Sequence, residues 1–116
     1  MASSDTTLKQ QYREVKERYP NLRVLFRVGD FFELFGADAD EAAPVLGLAL
    51  TRRDKNTPMA GFPHHALDAY VRKLVHAGHG VAVCDQVEDP ASAQGLVRRE
   101  VVRVLTPGTG PAARPR

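Results

Sequence analysis

The 116-residue chain is long enough for one compact domain and too short for an added catalytic or motor domain. Hydrophobic residues make up 43% and charged residues 26%, which is typical of a soluble globular protein and argues against wholesale disorder. The formal net charge of +2 excludes a histone-like protein or a polybasic membrane anchor. The single cysteine, Cys84, excludes an intrachain disulfide and argues against structural zinc.

The first predicted elements are an amphipathic helix and a strand. Residues 7–10 have the form of a capping box, and apolar residues follow at helical spacing before Pro20. These residues are Leu8, Tyr12, Val15 and Tyr19. Residues 22–28 are mostly apolar and favour a strand that ends at Gly29.

A second helix and a turn are predicted next. Helical spacing connects Phe35, Ala39, Ala42 and Leu46, and Pro44 should end or kink the last turn. Residues 48–51 predict a short strand. The polar residues 52–58 then form a hairpin-like loop that returns through residues 59–61.

The last elements are a third helix and two strands. Leu67, Tyr70, Val71 and Leu74 share one helical face, and this helix is capped near Gly78. The apolar run 81–84 is typical of a central strand, and residues 101–105 predict another. We expect a flexible N-terminus over residues 1–6, one domain over 7–106 and a disordered or linker-like tail over 107–116.

The segment GDFFELF, residues 29–35, places three phenylalanines and two acids directly after a strand. In an extended chain Phe31 and Glu33 point to one face, and Phe32 and Leu34 point to the other. Only one of these faces can be the core. From aromatic content alone, burial of every Phe with Glu33 on a solvated surface is the more common arrangement.

Several segments resemble the N-terminal mismatch-recognition domain of the MutS family, from about residue 7 to residue 109. GDFFELF is similar to the GDFYELF-type signature of that family, and TPMAGFPHHALDAYVRKLV is similar to its PMAG segment and the helix that follows. QQYREVKERYP, VAVCDQVEDP and QGLVRREVVRVLTPGT resemble further blocks in the same order. Several blocks in one order are far more specific than a lone F-x-E. The resemblance implies an α+β fold, a single domain with a mixed β-sheet flanked by α-helices.

The resemblance places the F-x-E motif on Phe31 and Glu33. In the family the Phe stacks on a mispaired or unpaired base in the minor groove, and the Glu hydrogen-bonds that base. A wedge of this kind unstacks and kinks DNA most readily where pairing is already weak. Glu33 would also disfavour intact duplex, because phosphates repel a carboxylate.

Other residues are candidate contacts to the DNA backbone. This set comprises Arg52, Arg53, Lys55, Met59, Gly61, Pro63 and His64. A further basic set near the last strand comprises Arg98, Arg99 and Arg103. Backbone contacts of this kind position a protein without reading sequence, although a run of charges is equally often a solvated surface.

Two alternatives to mismatch recognition remain open at this stage. A protein-interaction module could keep the fold without DNA affinity. A small nuclease would use Asp30, Glu33 and His64 or His65, but it needs convergent acids or a metal that the sequence does not specify. We therefore expect a binding protein with no catalytic residues and no metal.

The resemblance also sets expectations about cofactors and partners. No G-x-x-x-x-G-K-[ST] motif occurs, so ATP and Mg²⁺ are expected only in the ATPase domain of full-length relatives. The expected partners are duplex DNA with mismatches or small loops and full-length mismatch repair proteins, with no membrane. We expect a monomer when isolated and a cytoplasmic, nucleoid-associated location.

Overall fold

The computed structural model describes residues 7–52 and 54–107. Over these residues the α-helices are α1 (Leu8–Arg18), α2 (Gly36–Leu46) and α3 (Leu67–His76). The β-strands are β1 (Arg23–Val28), β2 (Phe31–Phe35), β3 (Thr51–Arg52), β4 (Pro58–Pro63), β5 (Val81–Gln86) and β6 (Arg99–Leu105). A short 3₁₀ turn, His64–Ala66, leads into α3.

The strands form a single six-stranded sheet in the order β3-β4-β2-β1-β5-β6. Strands β1 and β5 are parallel, and every other neighbouring pair is antiparallel. This mixed sheet flanked by helices confirms the predicted α+β single-domain fold. The apolar run 81–84 lies in β5, which is paired on both sides, as a central strand must be.

Both faces of the sheet are covered by helices. On one face, α2 and α3 pack on a cluster that includes Phe32 and Leu34. On the other face, α1 packs on a smaller cluster that includes Phe26 and Phe35. We call these the α2/α3 face and the α1 face. Because successive residues of β2 alternate between them, one strand supplies both halves of the core.

The first helix begins with the predicted capping box. The Thr7 hydroxyl accepts a hydrogen bond from the Gln10 backbone N–H at 3.1 Å, and the Gln10 side chain accepts one from the Thr7 N–H at 2.8 Å. On the inner side of α1, the Tyr12 ring meets Phe26 and Phe35 edge-on, with centroids 5.6 and 5.1 Å apart. These contacts hold α1 against the part of the α1 face that contains Phe26 and Phe35.

A buried carboxylate, which the sequence analysis did not single out, joins α1, β1 and α2. Asp38 is 3% exposed and lies in the first turn of α2. Its oxygens accept hydrogen bonds from Lys16 Nζ at 3.0 and 3.1 Å and from the Val24 backbone N–H at 3.0 Å. These three bonds satisfy a charge that would otherwise be expensive to bury.

Several boundaries differ from prediction: β4 covers Pro58–Pro63 rather than 59–61, and β6 begins at Arg99 rather than at residue 101. The strand expected over 48–51 is reduced to Thr51–Arg52, because the Leu48 N–H donates to the Ala43 carbonyl (2.9 Å) and closes α2. Helix α2 ends at Gly47, with a φ of +70°, in the turn that contains Pro44 as predicted, whereas Phe35 lies at the end of β2 and not in the helix. The termini expected to be flexible lie outside the described residues, apart from Pro107.

Candidate nucleic-acid interface

The two adjacent phenylalanines of β2 have opposite environments. Phe31 is 45% exposed, whereas Phe32 is 1% exposed and packs in the α2/α3 cluster. The alternation predicted from the sequence is therefore confirmed. A single exposed apolar side chain is common on protein surfaces, so the interest of Phe31 depends on where the fold places it.

Phe31 follows the tip of the β1–β2 hairpin. Val28 pairs with Phe31, which leaves a two-residue loop of Gly29 and Asp30. Gly29 has a φ of +59° at the first loop position, where a type II′ turn favours glycine. The Asp30 carbonyl accepts a hydrogen bond from the His64 N–H at 2.8 Å, so the tip is tied to the end of β4.

The register between β2 and β4 brings five predicted site residues together. Phe31 pairs with Pro63, Glu33 with Gly61, and Phe35 with Met59. Directly paired residues point to the same side of the sheet, and so do residues two positions apart on one strand. The α1 face therefore carries Phe31, Glu33, Met59, Gly61 and Pro63. Phe31 and Pro63 are exposed at one end of this row, and Phe35 is buried beneath α1 at the other.

Glu33 lies half-buried in the middle of the row, beside a glycine. A Cβ added at Gly61 would lie 3.2 Å from Glu33 Cγ and 3.1 Å from the Phe32 carbonyl oxygen. Glycine at 61 therefore lets the Glu33 side chain lie close against β4. The row therefore combines the exposed ring of Phe31, the carboxylate of Glu33 and the backbone of Gly61, which carries no side chain.

The predicted backbone contacts on the β3–β4 loop are not beside Phe31. Arg52 and Lys55 are exposed at the Pro58 end of β4, and Phe31 pairs with the opposite end at Pro63. The five strand steps between these ends span about 17 Å. Arg53 lies outside the described residues.

The β3–β4 loop is organised by Asp54. Its carboxylate accepts hydrogen bonds from the backbone N–H groups of Asn56 (2.9 Å) and Thr57 (3.0 Å). The Asn56 N–H is the main cause of the lowered pKa of Asp54, and the Thr57 groups add to it. An ionised Asp54 therefore holds the turn that presents Lys55.

The three arginines near β6 do not form one basic patch. Arg103 pairs with Asp68 of α3 at 3.1 Å. Arg99 lies on the α1 face, where its guanidinium lies over the Phe26 ring (5.3 Å) and donates to Gln11 of α1 at 2.8 Å. Burial lowers the pKa of Arg99. Arg98 is exposed near Glu100. The shared phosphate-facing role predicted for this set is not supported by their positions.

Arg27 is a residue that the sequence analysis missed. Its Nε donates to the Gly29 carbonyl at 2.7 Å, and its Nη1 donates to Asp85 at 3.0 Å. The Arg27 carbonyl accepts a hydrogen bond from Arg99 Nε at 2.7 Å. The available sequence signal was the position of Arg27 in a mostly apolar strand, two residues before the turn glycine Gly29.

The described residues show no arrangement typical of metal or thiol chemistry. Over residues 7–52 and 54–107, no three His, Cys, Asp or Glu side chains converge as a metal site would require. His64 and His65 have ring centroids 6.0 Å apart. Burial raises the pKa of Cys84 to about 11, which keeps the thiol protonated and unreactive near neutral pH. No described helix is long and apolar enough to span a bilayer.

Comparison with known proteins identifies the class of this fold. A family model described as MutS domain I matches residues 6–112. The chain therefore belongs to the MutS domain I family. It is 58% identical over 101 residues to the DNA mismatch repair protein MutS of Chlorobium limicola, covering 87% of this chain and 12% of that protein.

Two further relatives carry the same name. The MutS protein of Fusobacterium nucleatum is 53% identical over 111 residues, covering 92% of this chain and 12% of its own length. That of Rhodopirellula baltica is 56% identical over 108 residues, covering 90% and 12%. The chain thus spans about 12% of the length of the relatives it matches.

Proposed function

We propose that this chain acts in DNA mismatch repair by binding duplex DNA at mispaired or unpaired bases. In this proposal Phe31 enters the minor groove and stacks on the displaced base, and Glu33 forms a hydrogen bond with it. The chain binds DNA without catalysing a reaction. The family membership and the shared name of the relatives support the pathway, and the exposed ring of Phe31 carries the mechanism.

The position of Phe31 suits a wedge. Its ring is 45% exposed at a two-residue hairpin tip, and Phe32 anchors the same strand in the core. An aromatic wedge stacks on any base, with about 1–3 kcal/mol gained per base, so it suits a sensor of many lesions. Unstacking a base step opposes insertion by about a few kcal/mol in intact duplex and by less where pairing is already lost. The selectivity comes from the difference between the unstacking free energy of intact duplex and that of a duplex whose pairing is already lost.

Glu33 adds a second filter. It is two residues from Phe31 on the same face, so a base stacked on the ring lies within reach of the carboxylate. A displaced base offers N–H donors that a paired base keeps engaged. In intact duplex the carboxylate instead faces phosphates, which repel it.

The charge distribution predicts weak binding by the isolated chain. Near Phe31, the charge of Arg27 is offset by Asp85, and the exposed cations Arg52 and Lys55 lie about 17 Å away along β4. At 3.4 Å per base pair, contacts there would fall about five base pairs from the wedge. We propose that the β3–β4 loop contacts the DNA backbone. In the same proposal, the DNA backbone between this loop and the Phe31 wedge is contacted by Met59, Gly61, Pro63 and His64.

The proposal also includes the domain bounds, the oligomeric state, the partners and the location that were expected from the sequence. The domain spans residues 7–106, acts as a monomer when isolated and works with full-length mismatch repair proteins in the cytoplasm, near the nucleoid. Its low net charge of +2 fits a module that depends on a partner for most of its affinity.

The test is a titration of the purified chain with three duplexes of one sequence: fully paired, with a single mispair, and with one unpaired base. A 2-aminopurine beside the lesion reports unstacking by its fluorescence. We expect tighter binding to both lesions than to paired DNA, with a fluorescence rise that the Phe31→Ala variant does not give. Glu33→Gln should bind paired DNA more tightly and so discriminate less.

Three results would contradict the proposal. Equal binding to all three duplexes would remove lesion recognition. No binding at low salt, together with retention of a mismatch repair protein on the immobilised chain, would favour the protein-interaction module. Strand cleavage that depends on an added divalent metal would favour the nuclease.

A further inference from the structure

We infer that Arg27 is a positioning residue for lesion recognition: it holds the β1–β2 tip so that Phe31 is presented in one fixed orientation. This inference rests on the proposed function, because a fixed ring matters only if Phe31 is inserted into DNA. Arg27 does not lie on the same side of the sheet as Phe31 and Glu33. Arg27 pairs with Phe32 in the register, so its side chain lies on the α2/α3 side.

The guanidinium of Arg27 engages three neighbours at once. Nε donates to the Gly29 carbonyl at 2.7 Å, Nη1 donates to Asp85 Oδ1 at 3.0 Å, and Cζ lies 5.7 Å from the centre of the Phe32 ring. The side chain is only 17% exposed. A planar fork can satisfy a carbonyl, a carboxylate and an aromatic face together, whereas a lysine ammonium offers a single point charge.

Both carbonyls of the tip loop therefore accept hydrogen bonds from donors outside the loop. Gly29 is held by the Arg27 side chain, and Asp30 is held from the opposite side by the His64 N–H at 2.8 Å. Arg27 is itself held through its own carbonyl by Arg99 of β6 at 2.7 Å. The tip that precedes Phe31 is thus anchored toward β4 on one side and toward β5 and β6 on the other.

A fixed tip improves recognition by reducing the entropy lost on insertion. Ordering one mobile side chain at an interface opposes binding, and a preorganised one avoids that penalty. The penalty matters most for lesion binding, where the ring must be inserted. Contacts to the DNA backbone in paired duplex do not require the ring to be ordered. Loss of Arg27 should therefore reduce lesion preference more than general affinity.

The experiment compares Arg27→Ala, Arg27→Lys and Arg72→Ala in the full chain. Arg72 is exposed on α3, so its removal matches the loss of one positive charge away from the tip. For Arg27→Ala we expect the preference for the unpaired-base duplex to fall by about 2- to 10-fold, with paired-duplex affinity as in Arg72→Ala. Arg27→Lys should restore the paired-duplex affinity and only part of the preference.

A second measurement does not depend on DNA. The ¹⁵N order parameters of the Gly29, Asp30 and Phe31 amides should be near 0.85, the value for rigid backbone, and should fall in Arg27→Ala but not in Arg72→Ala. Unchanged order parameters would overturn the inference, as would full recovery of preference in Arg27→Lys. If the wild-type chain shows no lesion preference, the proposed function fails, while the order parameters still decide whether Arg27 fixes the tip.

Discussion

The adjacent pair Phe31 and Phe32 permits a test in which one substitution should impair recognition and the other stability. Full burial of a Phe side chain contributes about 1.5–3 kcal/mol. Because Phe31 is 45% exposed, Phe31→Ala should lower the free energy of unfolding by only about 1 kcal/mol. Phe32 is 1% exposed, and Phe→Ala in a packed core costs about 3–5 kcal/mol.

These energies convert to well-separated melting temperatures. In a domain near this size, 1 kcal/mol shifts Tm by roughly 4–8 °C. Phe31→Ala should therefore melt about 4–8 °C below wild type, and Phe32→Ala should melt about 12 °C lower or more. Total stabilities of about 5–15 kcal/mol mean that Phe32→Ala can leave the domain unfolded. Phe32→Leu then serves as the milder variant.

The assay is thermal unfolding followed by circular dichroism, paired with titration of lesion and paired duplexes. We expect Phe31→Ala to lose its preference for the lesion, and Phe32→Leu to keep that preference while it melts early. A large drop in Tm for Phe31→Ala without one for Phe32→Leu would invert the assignment of faces. A Phe31→Ala variant that still prefers the lesion would refute the wedge.

Three further predictions concern charge, close packing and the buried thiol. Arg52→Ala and Lys55→Ala should each weaken binding to paired and lesion duplexes alike and reduce the salt slope by about one, measured by titration at several salt concentrations; a loss confined to lesion DNA would exclude backbone contacts. Gly61→Ala places a Cβ 3.2 Å from Glu33 Cγ and 3.1 Å from the Phe32 carbonyl oxygen, so it should lower Tm and alter the preference for lesion DNA; unchanged values would contradict the close packing of β2 against Gly61. Burial raises the pKa of Cys84 to about 11, so the thiol should react with a thiol reagent at pH 8 only as fast as the chain unfolds. The stability that the neutral thiol contributes is complete below the ordinary thiol pKa of 9.0 and is lost as the pH rises toward 11, which melting curves between pH 8 and 11 can follow.

Local patterns predicted the elements that local forces determine. The capping box gave the start of α1 because its two hydrogen bonds join residues three positions apart. The alternation in residues 31–34 separated Phe31 from Phe32 because side chains of a strand alternate strictly between its faces. Alternation alone did not decide which face stays open, because that depends on what packs against the sheet; the family resemblance placed Phe31 and Glu33 on the open side.

The roles of the arginines could not be predicted from local pattern. Arg27 meets Asp85, which is 58 residues away, and Arg99 meets Gln11, which is 88 residues away. A grouping by charge placed Arg99 with Arg98 and Arg103, although the fold gives these three side chains different neighbours. Pairings over such distances are set by strand order, and strand order is a property of the whole sheet.

The parallel pairing of β1 with β5 has a consequence for the order of folding. The β1–β2 hairpin closes over two residues, and hairpins form in roughly microseconds. The Arg27–Asp85 bond must wait for a parallel strand to return across a long connection, which is slow because of loop-closure entropy. We therefore expect the β1–β2 tip to form early and to lack its Arg27–Asp85 bond until β5 has paired with β1.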